Sequence, residues 1–267
     1  MEINYQYLKV EKQDHVALVT LNRPEKLNAL SADMMEEIIQ AAQAFHRDEE
    51  TRVVIFTGAG NSFSAGVDLI DQKNFDRLAQ ASNLMKLRYL KLGPRMIQTV
   101  YEMDQITIAA VNGAAMGGGA CIAAACDFRL GAGSCRVGYP EVGLGMNLSW
   151  TALPMCVHLI GPARAKQMVI LAEKVPAQTL LNWGFLDEVV PASQLMEASR
   201  AMARKYAAQP PIAAQMVKRS VNAIASALDQ AIMHMDADQF LLTSHTEDYL
   251  ESVSAFLEKR KPSFKGN

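Results

Sequence analysis

Cysteine and net charge are both scarce in this chain. Its 267 residues hold four cysteines, Cys121, Cys126, Cys135 and Cys156, with no paired spacing of the kind a zinc site needs. They lie in apolar or irregular contexts, which reads as buried reduced thiols of a cytosolic protein. The formal net charge is −2, which excludes a basic field for nucleic acid and an acidic tail. No apolar run reaches the length of a membrane span. The opening MEINYQYLKVEKQD is polar and charged, unlike a signal or transit peptide, so the expected location is the cytoplasm. There is no internal repeat and no low-complexity linker. A phosphate-binding G-x-x-x-x-G-K-[ST] loop, a G-x-S-x-G nucleophile elbow and a properly placed G-x-G-x-x-G are all missing.

What is present is apolar: half of the residues are hydrophobic, enough for one large core. Val16 to Pro24 reads as a strand ending in a turn, where Asn22 and Pro24 stop the ladder. Ser31 reads as the N-cap of a helix that carries Met35, Ile38, Ile39, Ala42 and Phe45 on one face. VVIFTG (Val53 to Gly58) and ITIAAVNG (Ile106 to Gly113) are continuous apolar runs, the pattern of strands buried on both faces. Residues 75–104 read as mostly helical, broken near Gly93–Pro94. Beyond Ser149 only LDEVV (Leu186 to Val190) looks extended. The rest predicts helices over 149–160, 162–172, 176–183, 192–208, 211–226, 229–241 and 245–259. The expectation is an α/β fold with a mostly parallel core over 1–190 and an all-helical region over 191–267.

Two glycine-bearing loops follow the two buried strands: NSFSAGVDL and AAMGGGACIAAACD. In open α/β sheets, ligands favour the carboxyl ends of strands. A helix starting near Gly119 would aim free N–H groups at such a ligand. Two loops side by side could then give two donors to one oxygen, an oxyanion hole. Tight helix–strand packing explains the three glycines equally well on spacing alone.

LNRPEKLNAL, SFSAGVDL, IAAVNGAAMGGG, CDFRL, VGYPEVGLG and FLEKRKPSFKG, taken together and in this order, resemble the crotonase superfamily, the enoyl-CoA hydratases and isomerases. The resemblance implies a spiral of ββα units with a C-terminal helical region that mediates trimerisation, as a homotrimer or homohexamer. It implies an acyl-CoA thioester as the partner and no cofactor or metal beyond the substrate's coenzyme A. The oxyanion-hole amides would be those of Val67 and Gly118. Ala65, Asp68, Leu69 and Ile70 would line the coenzyme A path, with Lys26 near it. Phe256 and Lys259 would reach coenzyme A bound to a neighbouring subunit.

By the same resemblance, the hydratases' two glutamates fall at Cys121 and Glu141, so one carboxylate is present and one is missing. A thiol is a poor replacement, being a weak hydrogen-bonding group with a pKa of about 8.5 that burial raises. One carboxylate suffices to move a proton from C2 to C4 of a 3-enoyl thioester. Glu141 is therefore the expected acid–base group, Cys121 a small wall residue and Tyr139 a side chain pointing into the pocket. Asp68 is expected to order its loop rather than react. The favoured activity is enoyl-CoA isomerisation. Hydration, thioester hydrolysis, decarboxylation and non-catalytic acyl-CoA binding stand as alternatives.

Overall fold

The computed structural model describes residues 4–68 and 81–267; for Asn83, Gln230, Phe256 and Leu257 only the backbone is described. Leu69 and Ile70 lie outside the described residues.

The chain opens with an antiparallel pair, β1 (Leu8–Gln13) and β2 (Val16–Leu21). β1 alternates buried and exposed positions only at its start and is otherwise open to solvent, as an edge strand can be. α1 (Ala32–Phe45) follows, with Ser31 Oγ accepting from Met34 N–H as its cap. Then comes a repeated unit in which one strand joins each of two sheets. β3 (Val53–Gly58) is followed by β4 (Ser62–Ser64). The helices α2 (Asn83–Leu90) and α3 (Leu92–Tyr101) precede β5 (Ile106–Val111) and β6 (Ala114–Met116). After α4 (Gly118–Ala125) come β7 (Phe128–Ala132) and β8 (Arg136–Gly138). α5 (Ala152–Ile170), β9 (Val175–Pro176), α6 (Ala177–Trp183) and β10 (Glu188–Val190) complete the sheets.

The larger sheet has the order β1-β2-β3-β5-β7-β10, parallel from β2 onward. The smaller has the order β4-β6-β8-β9 and is parallel except for its last pair. Each ββ corner turns in two or three residues, so the second sheet is the first one's chain bent sideways. Side-chain amides of the buried Asn28 and the half-buried Asn112 hold the first corner. Asn112 Nδ2 donates to the Gly58 and Gly60 carbonyls, both at 2.9 Å. Asn28 Nδ2 donates to Ala59 at 2.9 Å and Ser62 at 2.8 Å. Buried backbone carbonyls at a sharp corner need such partners, since the ladder no longer serves them.

All elements after Val190 are helical: α7 (Leu195–Ala207), α8 (Pro211–Ala225), α9 (Gln230–Met233), α10 (Asp236–Ser244) and α11 (Glu247–Glu258). The sequence reading differs in three details. The break expected near Gly93–Pro94 falls at Lys91, and Pro94 sits in the first turn of α3, where its missing N–H costs no hydrogen bond. The helix expected over 229–241 is interrupted between Met233 and Asp236. Of the helices expected over 149–160 and 162–172, the first begins only at Ala152, while the break between them stands where expected, at the non-helical Gly161 (φ 77°) before Pro162. Among the described residues no helix is long and apolar enough to cross a membrane.

Candidate active site

The spiral brings the two glycine loops together. Gly117 (φ 49°) ends β6 and caps α4, and its own N–H is taken by the Gly138 carbonyl at 2.9 Å. Gly118 is the first residue of α4, so its N–H has no acceptor within the helix. In the first loop, Leu30 N–H donates to Gly66 O at 2.7 Å, and Asp68 N–H to Leu30 O at 3.1 Å. This parallel bridge turns the intervening Val67 N–H away from Leu30. Among the described residues, neither the Val67 nor the Gly118 amide donates to any protein acceptor. The loops touch: a Cβ on Gly66 would lie 2.7 Å from Met116 O and 3.5 Å from Gly118 N. Glycine at 66 (φ 90°) allows both that approach and that conformation.

Glu141 is aimed by the next turn. Its carbonyl accepts from Leu144 and Met146 N–H, both at 2.9 Å, closing the short 3-10 turn Val142–Leu144. The carboxyl then lies over the glycine loop; a Cβ on Gly117 would be 2.9 Å from Glu141 Oε1. Oε2 is buried without a hydrogen-bond partner among the described residues. Burial raises this carboxyl from 4.5 to about 7, countered only by its own backbone N–H. An acid at this value can both take and return a proton near neutral pH.

These groups share a cavity of about 340 Å³, within the usual range for small-ligand sites. Ala65, Val67, Gly117, Gly118, Cys121 and Glu141 all line it. Cys121 is 1% exposed, and burial first, then the Glu141 charge, pushes its thiol well above the ordinary value, which suits a wall and not a nucleophile. All four cysteines are free and buried. Trp150 lies over Gly118, whose added Cβ would meet the indole at 2.6 Å. Trp150 and Thr151 both have positive φ (61° and 60°), a strained pair for residues with side chains.

Other expected site residues stand elsewhere. Tyr139 does not point into the cavity: it is fully buried behind the wall, its ring near Cys121 and Cys156 and its hydroxyl unpartnered. It directly follows β8, and the lining of the cavity begins with the next residues, Pro140 and Glu141. Asp68 is outside the lining and pairs with Arg23 Nη2 at 2.9 Å, which fastens its loop. Lys26 is exposed in the turn Pro24–Lys26, and Lys259 is exposed beyond α11; neither lines the cavity. The Phe256 side chain lies outside what is described. Arg260, beside Lys259, is held by Glu251 and Glu258. Sequence reasoning missed Asp236, a cavity-lining carboxylate that α10 brings over the site. Among the described residues no group of three or more His, Cys, Asp or Glu side chains could hold a metal ion.

A larger groove of about 610 Å³ opens beside α8. Its acids are engaged by partners, Asp127 by Lys218 at 2.7 Å and Asp229 by His158 Nε2 at 2.9 Å, and it includes neither free loop amide.

The family pattern described as enoyl-CoA hydratase/isomerase matches residues 11–267. The chain belongs to this family. Enzymes of the family act on acyl-CoA thioesters, and the two-sheet spiral is the crotonase fold. The chain is 34% identical to the short-chain-enoyl-CoA hydratase of Clostridium acetobutylicum, over 98% of this chain and 97% of that one. It is 31% identical to the 1,2-epoxyphenylacetyl-CoA isomerase of Escherichia coli, over 94% and 95%. The crystal structure of carnitinyl-CoA hydratase from Mycobacterium avium superimposes with a TM-score of 0.86 at 31% identity, covering 99% of this chain and 100% of that one.

Proposed function

We propose that this family member isomerises enoyl-CoA thioesters, drawing the double bond of a 3-enoyl group into conjugation. The Val67 and Gly118 amides hold the thioester oxygen as it gains enolate charge. Glu141 removes a proton from C2 and returns it at C4, so atoms and charge balance without water or a further cofactor. A donor of such a pair is worth about 3–4 kcal/mol of barrier. The reading is carried by one observation: Glu141 lies beside the glycine loops with Oε2 enclosed and unpartnered among the described residues, and the neighbouring Cys121 holds a protonated thiol, while the cavity's other acid, Asp236, is tied to Thr151 N–H. Coenzyme A lies along Ala65 and its loop, with Lys26 and a neighbouring subunit's Lys259 and Phe256 toward its phosphates and adenine.

A second reading, hydration, is favoured by the names of most similar proteins, the Clostridium acetobutylicum enzyme among them. The two separate on substrates. With a 3-enoyl-CoA the enzyme is expected to give the conjugated isomer without change of mass. Rapid addition of water to crotonyl-CoA would replace the isomerase reading with the hydratase one.

A further inference from the structure

Asp236 opens α10 and is 6% exposed, yet it lines the cavity. Its Oδ2 accepts from Thr151 N–H at 2.8 Å, which secures the strained Trp150–Thr151 turn. Its Oδ1 makes no hydrogen bond among the described residues, and it is not among the fully enclosed unpartnered atoms. That oxygen is therefore left to the cavity. The same cavity is lined by four aromatic residues, Tyr89, Trp150, Phe240 and Tyr249, set among aliphatic and small polar ones. Burial raises this carboxyl, and Asp236 shares the cavity lining with Glu141. Cys121 lies within the influence of both.

A half-satisfied carboxylate is the wrong surface for a plain alkyl chain. Covering it with methylenes would strip its water and return nothing. A hydroxyl or an ammonium would meet the free oxygen, and the aromatic residues suit the carbon skeleton and, for a cation, the charge. We infer that Asp236 is a specificity residue, selecting acyl groups that carry a hydrogen-bond donor, hydroxyl or ammonium, beyond the reacting carbons. This rests on the enolate site above, which fixes the thioester end.

The test is binding, so it does not depend on turnover. Saturated acyl-CoAs of four to eight carbons are titrated calorimetrically as plain, ω-hydroxy and ω-amino series. At one chain length the wild type is expected to bind a donor-bearing ligand at least about tenfold tighter than its plain counterpart. The better of hydroxyl and amine then identifies the donor. Asp236→Asn keeps an acceptor for Thr151 N–H while turning an amide donor to the cavity; a hydroxyl could accept from that amide but an ammonium cannot, so the variant is read on the ω-amino series, where it should erase the preference. Equal or tighter binding of the plain series at every length overturns the inference from the wild type alone, whether or not a variant folds. Survival of the ω-amino preference in Asp236→Asn overturns it too. If the preference holds while 3-enoyl-CoA is not isomerised, the enolate reading fails and the specificity role stands.

Discussion

At the scale of single residues, the chemistry depends on what surrounds one carboxyl. Glu141 loses water and gains no cation, so its neutral form is favoured up to about pH 7. Proton removal requires the ionised form. kcat/KM for isomerisation is therefore expected to rise with pH through about 7 and level off above it. At pH 5 it should be roughly 100-fold below the plateau, as a single titration predicts. A break near 4.5 would mean a solvated carboxylate and a different base. The same residue shows what the sequence could and could not tell. Glu141 was identifiable only because GYPEVGLG resembles a family motif; its composition and spacing are those of any loop glutamate. Asp236 was hidden because its place at the wall depends on a helix folding back across the site from nearly 100 residues later in the chain.

Among elements, the legible strands are those buried on both faces. VVIFTG and ITIAAV read directly because every position but one in the two runs is buried. β1 escaped because LKVEKQ is mostly polar at an exposed edge. β4, β6 and β8, each three residues long, are too short to show any period. The second sheet thus came into view only with the corners that build it. The glycine triplet supports both of its sequence readings at different positions. Gly118 offers its amide, while Gly119 is a packing glycine: its added Cβ would meet Ser64 Cβ and Ser64 O, each at 2.7 Å. Gly119→Ala should therefore destabilise the protein by about 1–3 kcal/mol, as overpacking does, measured by urea unfolding. An unchanged midpoint would show that the α4–β4 contact is looser than described.

For the whole molecule, α8 and the turn beyond it leave a row of side chains open: Ile212, Met216, Val221, Ile224 and Leu228, from 56% to 82% exposed. At 100° per residue, Val221 and Ile224, together with the exposed Val217, fall within about 60° of one another as one stripe of α8, and exposed apolar stripes of this kind mark association surfaces. We propose that this stripe joins copies of the chain to one another. Sedimentation should find no monomer of the wild type at micromolar concentration, and Ile224→Asp should shift it toward monomer; a monomeric wild type would remove this role from α8. The catalytic account at this scale is that two loops and one turn, brought together by a spiral of ββα units, make a thioester acidic at C2. Its most direct measurement is exchange of the C2 hydrogens of butyryl-CoA with D2O, followed by proton NMR, because it needs neither a double bond nor water addition. The account predicts enzyme-dependent exchange that falls by about 10²–10⁴ in Glu141→Gln. No exchange with the wild type, or equal exchange in the variant, would contradict it.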